Sequence, residues 1–142
     1  MLVPVTQAKP EHCIEALRIT MVGHATLLIQ AAGVNLLTDP VWSSRVSPHS
    51  WLGPQQVTEP GIAFENLPPI DAVLLSHNHY SHMDLATLAR LHAVHAPLMV
   101  MPLGNDTIVR RAVPGARIAI GDWHDRMLLA GGVATTLTLA TH

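Results

Sequence analysis

Apolar residues occur along this chain in short runs, and the residues that interrupt those runs set the reading. Residues 17–22 and 26–29 are rich in aliphatic and β-branched side chains and are parted by Gly23-His24-Ala25, which predicts two strands across a turn. Gly33 marks a tight turn, and residues 34–38 follow as a third strand. Residues 39–69 are punctuated by proline and glycine, with Trp42, Trp51 and Phe64 as aromatic anchors. An ordered loop of that length is usually shaped around a site. Residues 71–76, DAVLLS, form a continuous apolar run, the pattern of a strand covered on both faces. Asp84 is placed to cap a helix over residues 85–94, whose Leu85, Leu88, Leu91 and His92 share one face. Residues 98–101 predict another buried strand, and Asn105 or Asp106 opens a short helix toward Ala112 that Pro114-Gly115 ends. Residues 117–120, 126–130 and 133–139 predict strands, the last two joined at Gly131-Gly132 as a hairpin. Residues 1–16 precede all of this as an arm, loose over residues 3–11 with Pro4 and Pro10. The pattern defines an α/β or α+β fold with helices on one face of a mixed sheet.

Composition narrows the class. A chain of 142 residues holds one domain at most, with length enough for a core. Hydrophobic residues make up 49% and charged ones 13%, with mean hydropathy +0.30, so part of the surface is expected to need a partner. The net charge is −2 and Lys9 is the only lysine, which leaves no basic stripe for nucleic acid. Cys13 is the single cysteine, which excludes an internal disulfide and favours a reducing compartment. The N-terminus lacks the pattern of a secretory signal. The longest apolar stretch, residues 127–140, is short and broken by Gly131, Gly132 and threonines, so no transmembrane segment is expected and the location is read as cytoplasmic.

Ten histidines are present, but the spacing of three of them carries the chemistry. His77-Asn78-His79-Tyr80-Ser81-His82 sits where the buried strand runs out into a loop. Side chains two apart in extended backbone point the same way, so His77 and His79 can reach one ion, whereas His82, past a bend, is expected to point elsewhere. Imidazole is a preferred zinc ligand, and sheet-end loops are where open sheets place their sites. The competing reading is a solvated polar loop rich in histidine.

The segment Ser76-His77-Asn78-His79-Tyr80-Ser81-His82-Met83-Asp84 resembles the His-x-His-x-Asp-His signature of the metallo-β-lactamase superfamily. Gly23-His24-Ala25-Thr26, Leu37-Thr38-Asp39-Pro40-Val41, Leu67-Pro68-Pro69-Ile70-Asp71 and Pro102-Leu103-Gly104 resemble, in order, the branch containing N-acylphosphatidylethanolamine phospholipase D; more distant ascorbate-phosphate lactonases share parts of the pattern. The resemblance runs from Arg18 to His142 and implies a two-zinc hydrolase of an αββα sandwich fold. It implies that His77, His79 and His142 bind the first zinc and that His82 belongs to the second. It also makes Asp39, at a strand end, an acceptor for a ligand histidine N–H.

Two departures stand out. Ser81 occupies the position of the family aspartate, and a neutral hydroxyl is a poor zinc ligand with no compensating charge. Asp84 lies three residues on, but its helix-capping role is the better reading. The other departure is that the sequence stops at His142, whereas the family draws a bridging aspartate and a final histidine from a second half. Residues 17–142 are accordingly read as the N-terminal half of the sandwich, with one zinc site and an incomplete second. The half-sandwich is expected to expose a bare sheet face, covered by a second copy or by a C-terminal-half partner.

Other residues have weaker claims. His24 is read either as lying near the metal centre or as a hydrogen-bonded core histidine. His92 and His95 fall in the last turn of a helix, where a cation is favoured, and a surface role is the simpler one. His12 beside Cys13 reads as part of a solvated arm, and His124 as a turn residue. Trp42, Trp51 and Leu52 either line an acyl pocket or pin the long loop to the sheet. The expected function is a zinc-dependent hydrolase of a small-molecule or lipid phosphodiester. The rival is a catalytically inactive truncated fragment that acts as a binding or assembly module.

Overall fold

The computed structural model describes residues 9–12, 14–43 and 59–139. Cys13, Trp51, Leu52 and His142 therefore lie outside the described residues. Six strands form one sheet in chain order: β1 (Arg18–Met21), β2 (Leu27–Ala31), β3 (Val34–Thr38), β4 (Ala72–Leu74), β5 (Leu98–Pro102) and β6 (Arg117–Gly121). The first three pair antiparallel and β3 through β6 pair parallel, which makes the sheet mixed as expected. Ala32 and Gly33, both at positive φ, make the two-residue turn between β2 and β3. That geometry matches the twist of an antiparallel pair, and glycine enters it without steric cost.

Two helices, α1 (Leu85–His95) and α2 (Asp106–Ala112), connect the parallel strands. Asp84 caps α1, accepting from Thr87 N, and Ala96 ends it in the left-handed conformation. Leu88 and Leu91 of α1 and Val109 of α2 pack on Leu28, Leu37, Val73, Met99 and Met101, one face of the sheet. Alternation along each strand sends Val34, Leu36, Ala72 and Val100 to the opposite face. The short apolar β4 is covered on both sides, with Ala72 at 2% and Val73 at 0% exposure.

The expected hairpin forms, with β7 (Arg126–Leu128) and β8 (Ala134–Thr136) as an antiparallel pair separate from the six-stranded sheet. Leu129, Met127 and Val133 pack with Val34, Leu36 and Val100, so the hairpin covers part of the face expected to be bare. The described end of the arm is tied to the sheet through Glu11, His12, Ile14 and Glu15. The buried Gln30 and Asn35 side chains donate to the carbonyls of Glu11 and His12, and the backbone of Ala32 and Gly33 donates to Glu15 and Ile14. Buried amides without partners are costly, so these bonds hold the segment down. Among the described residues no helix is long and apolar enough to cross a membrane.

Candidate metal centre

The parallel strands β3 and β4 end side by side, and their C-terminal ends carry the polar groups of the site. Beyond β3, Asp39 sits at φ +36° with its residue only 6% exposed. Beyond β4, Ser76 donates its backbone N–H to Asp39 Oδ1 at 2.8 Å and its hydroxyl to Asp39 Oδ2 at 2.6 Å. His82 Nδ1 lies 2.9 Å from the same Oδ2. A carboxylate only accepts, so His82 donates from Nδ1, and in the neutral ring Nε2 is then the acceptor nitrogen.

The same inventory assigns His77. Ser76 has one hydroxyl proton and gives it to Asp39, so Ser76 Oγ accepts from His77 Nδ1, 2.8 Å away. Both imidazoles are thereby held with Nε2 as acceptor, the form in which a histidine binds a metal. Sequence reasoning did not single out Ser76. The signal for it was a short hydroxyl residue between the buried strand and the first histidine.

The segment does not stay extended. His79 O accepts from His82 N and Met83 N, both at 2.8 Å, which curls the chain back on itself. The ring of His82 consequently sits 4.0 Å from that of His77, closer than His79 at 4.6 Å. The expectation that His82 points elsewhere is thus corrected: the turn and the Asp39 carboxylate bring it back. His24 joins from the β1–β2 turn, its ring 5.8 Å from His82. Asp84 is committed, as expected: it accepts from Thr87 N and Thr87 Oγ1 and from Ser43 N.

His95 reverses the expectation from its place at a helix end. Burial lowers its pKa below the ordinary 6.5, so desolvation outweighs the helix dipole there. Its ring lies 6.4 Å from Phe64, which also carries the Arg90 guanidinium 3.9 Å above its face. Trp42 meets Phe64 edge-on at 5.8 Å and donates to Ile62 O, so it pins the start of the long loop.

A cleft of about 620 Å³ opens beside the histidines. It is lined by Asp39, Ser76 and His77, by Leu74 and Val100 from the sheet, and by Trp123 with residues 135–139. The donor set has the right chemistry for an imidazole-preferring cation, with two rings oriented by hydrogen bonds. It is not a closed shell: among the described residues, no group of three or more His, Cys, Asp or Glu side chains is placed to hold a metal. His142, the expected third ligand, lies outside them.

A mixed sheet with helices on one face and an oriented histidine cluster at its strand ends defines a class of metal-site α/β folds. Residues 34–142 match the beta-lactamase superfamily domain, and the chain belongs to that family. It is 39% identical over 109 residues to an uncharacterized protein of Mycobacterium tuberculosis, covering 76% of this chain and 29% of that protein. It is 37% identical over 94 residues to N-acyl-phosphatidylethanolamine-hydrolyzing phospholipase D 1 of Caenorhabditis elegans, covering 66% of this chain and 26% of that enzyme. Among solved structures, Igni18, a metallo hydrolase from the archaeon Ignicoccus hospitalis, shares the fold with a TM-score of 0.63 at 18% identity. That match covers 89% of this chain and 49% of that one. The chain thus spans less than a third of the length of each of these two curated relatives.

Proposed function

We propose that this chain supplies the strand-end metal centre of a metal-dependent hydrolase, with zinc as the metal and a lipid or small-molecule phosphodiester as substrate. The observation that carries the reading is the Asp39–Ser76 relay, which fixes the tautomers of His77 and His82 together. Family membership supports the reaction class, and the likeness to the worm phospholipase D supports the substrate class. His77 and His79, with His142, would hold the first ion and His82 the second. A bound zinc ion acidifies water and polarises a phosphoryl oxygen.

The chain's own residues supply orientation. Asp39 holds His82 through Nδ1 and Ser76 holds His77, so neither ring can turn its Nε2 away without breaking a hydrogen bond. The cleft, with Leu74, Val100 and Trp123 in its lining, offers an apolar surface to a substituent beside the scissile bond. Elemental analysis after dialysis is expected to find about one zinc per chain, lost in His77→Ala. Zinc retained equally by both proteins would sink the reading.

A second reading is a binding or assembly module without catalysis, favoured by Ser81 where the family carries a carboxylate ligand. Turnover of bis(p-nitrophenyl) phosphate separates the two. A zinc-dependent rate supports the hydrolase, and zinc uptake without turnover supports the module.

A further inference from the structure

With Ser81 in place of the aspartate, the second ion is left with His82 alone from the histidine motif. We infer that His24, from the β1–β2 turn, is the replacement ligand, so that His24 and His82 form a two-imidazole second site in this chain. The inference rests on the metal-centre reading above and goes beyond it.

Three observations carry it. The first is separation. A zinc–nitrogen bond of about 2.1 Å puts each ring centroid roughly 3.2 Å from the ion, so two rings on a tetrahedral ion stand about 5 Å apart. The His24 and His82 rings are 5.8 Å apart with an interplanar angle of 68°, within a small side-chain adjustment of that value. The second is direction. Asp39 occupies His82 Nδ1, so any ion His82 binds must lie on its Nε2 side.

The third is rigidity. Val22 N and Gly23 N both donate to Thr26 O, closing the turn that carries His24. Two threonine hydroxyls then lock that turn to the β3 end. Thr26 Oγ1 donates to Asp39 O at 2.7 Å, and Thr38 Oγ1 donates to Ala25 O at 2.9 Å. The residue that orients His82 is therefore bonded to the turn that presents His24. A pair of ligands fixed on one frame loses less conformational entropy on binding an ion than two mobile side chains would. His24 is itself exposed, so burial of its ring does not explain such anchoring.

Cobalt(II) titration of the full chain, followed by its visible absorption and by calorimetry, tests the assignment. Two equivalents are expected in titration, a tighter one that survives dialysis and is lost in His77→Ala, and a weaker one that dialysis removes and that is lost in His82→Ala. His24→Ala and His24→Gln should weaken the second equivalent at least about tenfold and leave the first unchanged. Because His24 is exposed, circular dichroism of both variants should match the parent. Ser81→Asp should tighten the second equivalent, and His24→Ala should then cost less in that background. An unchanged second equivalent in the His24 variants, an equal loss in both backgrounds, or a single equivalent in the parent would each overturn the role of His24 while leaving the first site standing. No cobalt binding at all would overturn both.

Discussion

Asp39 shows how much one residue is asked to do. Its carboxylate accepts from Ser76 N, Ser76 Oγ and His82 Nδ1, and its carbonyl accepts from Thr26 Oγ1. The positive φ that aims it there is costly for most side chains and mild for Asp and Asn. Asp39→Ala leaves these donors without the carboxylate in a largely buried place, and urea denaturation should show a loss of about 3 kcal/mol. Asp39→Asn keeps one acceptor oxygen and the backbone preference, and should lose clearly less; equal losses would mean that the carboxylate network is not what stabilises this corner. His95 gives the second prediction at this scale. Its folded pKa is below 6.5, so between the two values the folded chain binds fewer protons than the unfolded chain. Its contribution to stability is present above 6.5 and is lost as the pH falls through that window. Denaturation at pH 7.5 and pH 5.5 should show a shallower pH dependence for His95→Gln than for the parent. Identical slopes would remove His95 from the account.

Helix α1 and the β7–β8 hairpin behave as elements in different ways. The cap of α1 is also a clamp, because Asp84 ties Ser43 N to the first turn while Thr87 Oγ1 accepts from Trp42 N. Asp84→Ala should therefore cost more than the roughly 1 kcal/mol of an ordinary cap, and Asp84→Asn should recover part of it. A loss no larger than that of a simple cap would mean the clamp to residues 42 and 43 carries no energy. The hairpin depends on Gly131. At φ +63°, a Cβ there would stand 2.5 Å from Val34 Cγ2 and 2.8 Å from Ala32 O. Gly131→Ala should lower the melting temperature by several degrees, whereas the open position of Gly104 predicts a smaller effect for Gly104→Ala. The α1 cap, the buried β4 and the Ala32-Gly33 turn were legible because each is encoded by neighbours within a few residues. The destination of the hairpin was not, since three-residue strands say nothing about which sheet face they cover. Nor was the return of His82, which depends on a carboxylate 43 residues earlier in the chain. Two of the three histidines expected at the first ion come together at one strand end, and the third lies at 142, outside the described residues.

For the molecule as a whole, the question is what the described surface still offers a partner. Among the described residues, strand β1 is the edge of the sheet, paired with β2 alone. Alternation puts Leu17, Ile19 and Met21 on one side of it, at 69%, 57% and 67% exposure. The register sets Ile19 opposite Ile29 and Met21 opposite Leu27, so this stripe lies on the face that also carries Leu36, away from the helices. The hairpin reaches Val34 and Leu36 on that face but leaves the stripe exposed. An apolar stripe on an unpaired edge strand is a template for another strand, and no lysine or proline within β1 blocks it. Three side chains fall well short of the roughly 800 Å² per partner of a stable interface. We therefore propose self-association that is weak and rises with concentration, rather than a permanent dimer. Light scattering coupled to size exclusion should show mass rising from monomer toward dimer across the micromolar range. Ile19→Lys should hold the chain monomeric at every concentration without changing its melting temperature by more than a degree or two, because Ile19 is already more than half exposed. A parent that stays monomeric throughout, or an Ile19→Lys variant that associates as readily as the parent, would remove β1 from the interface.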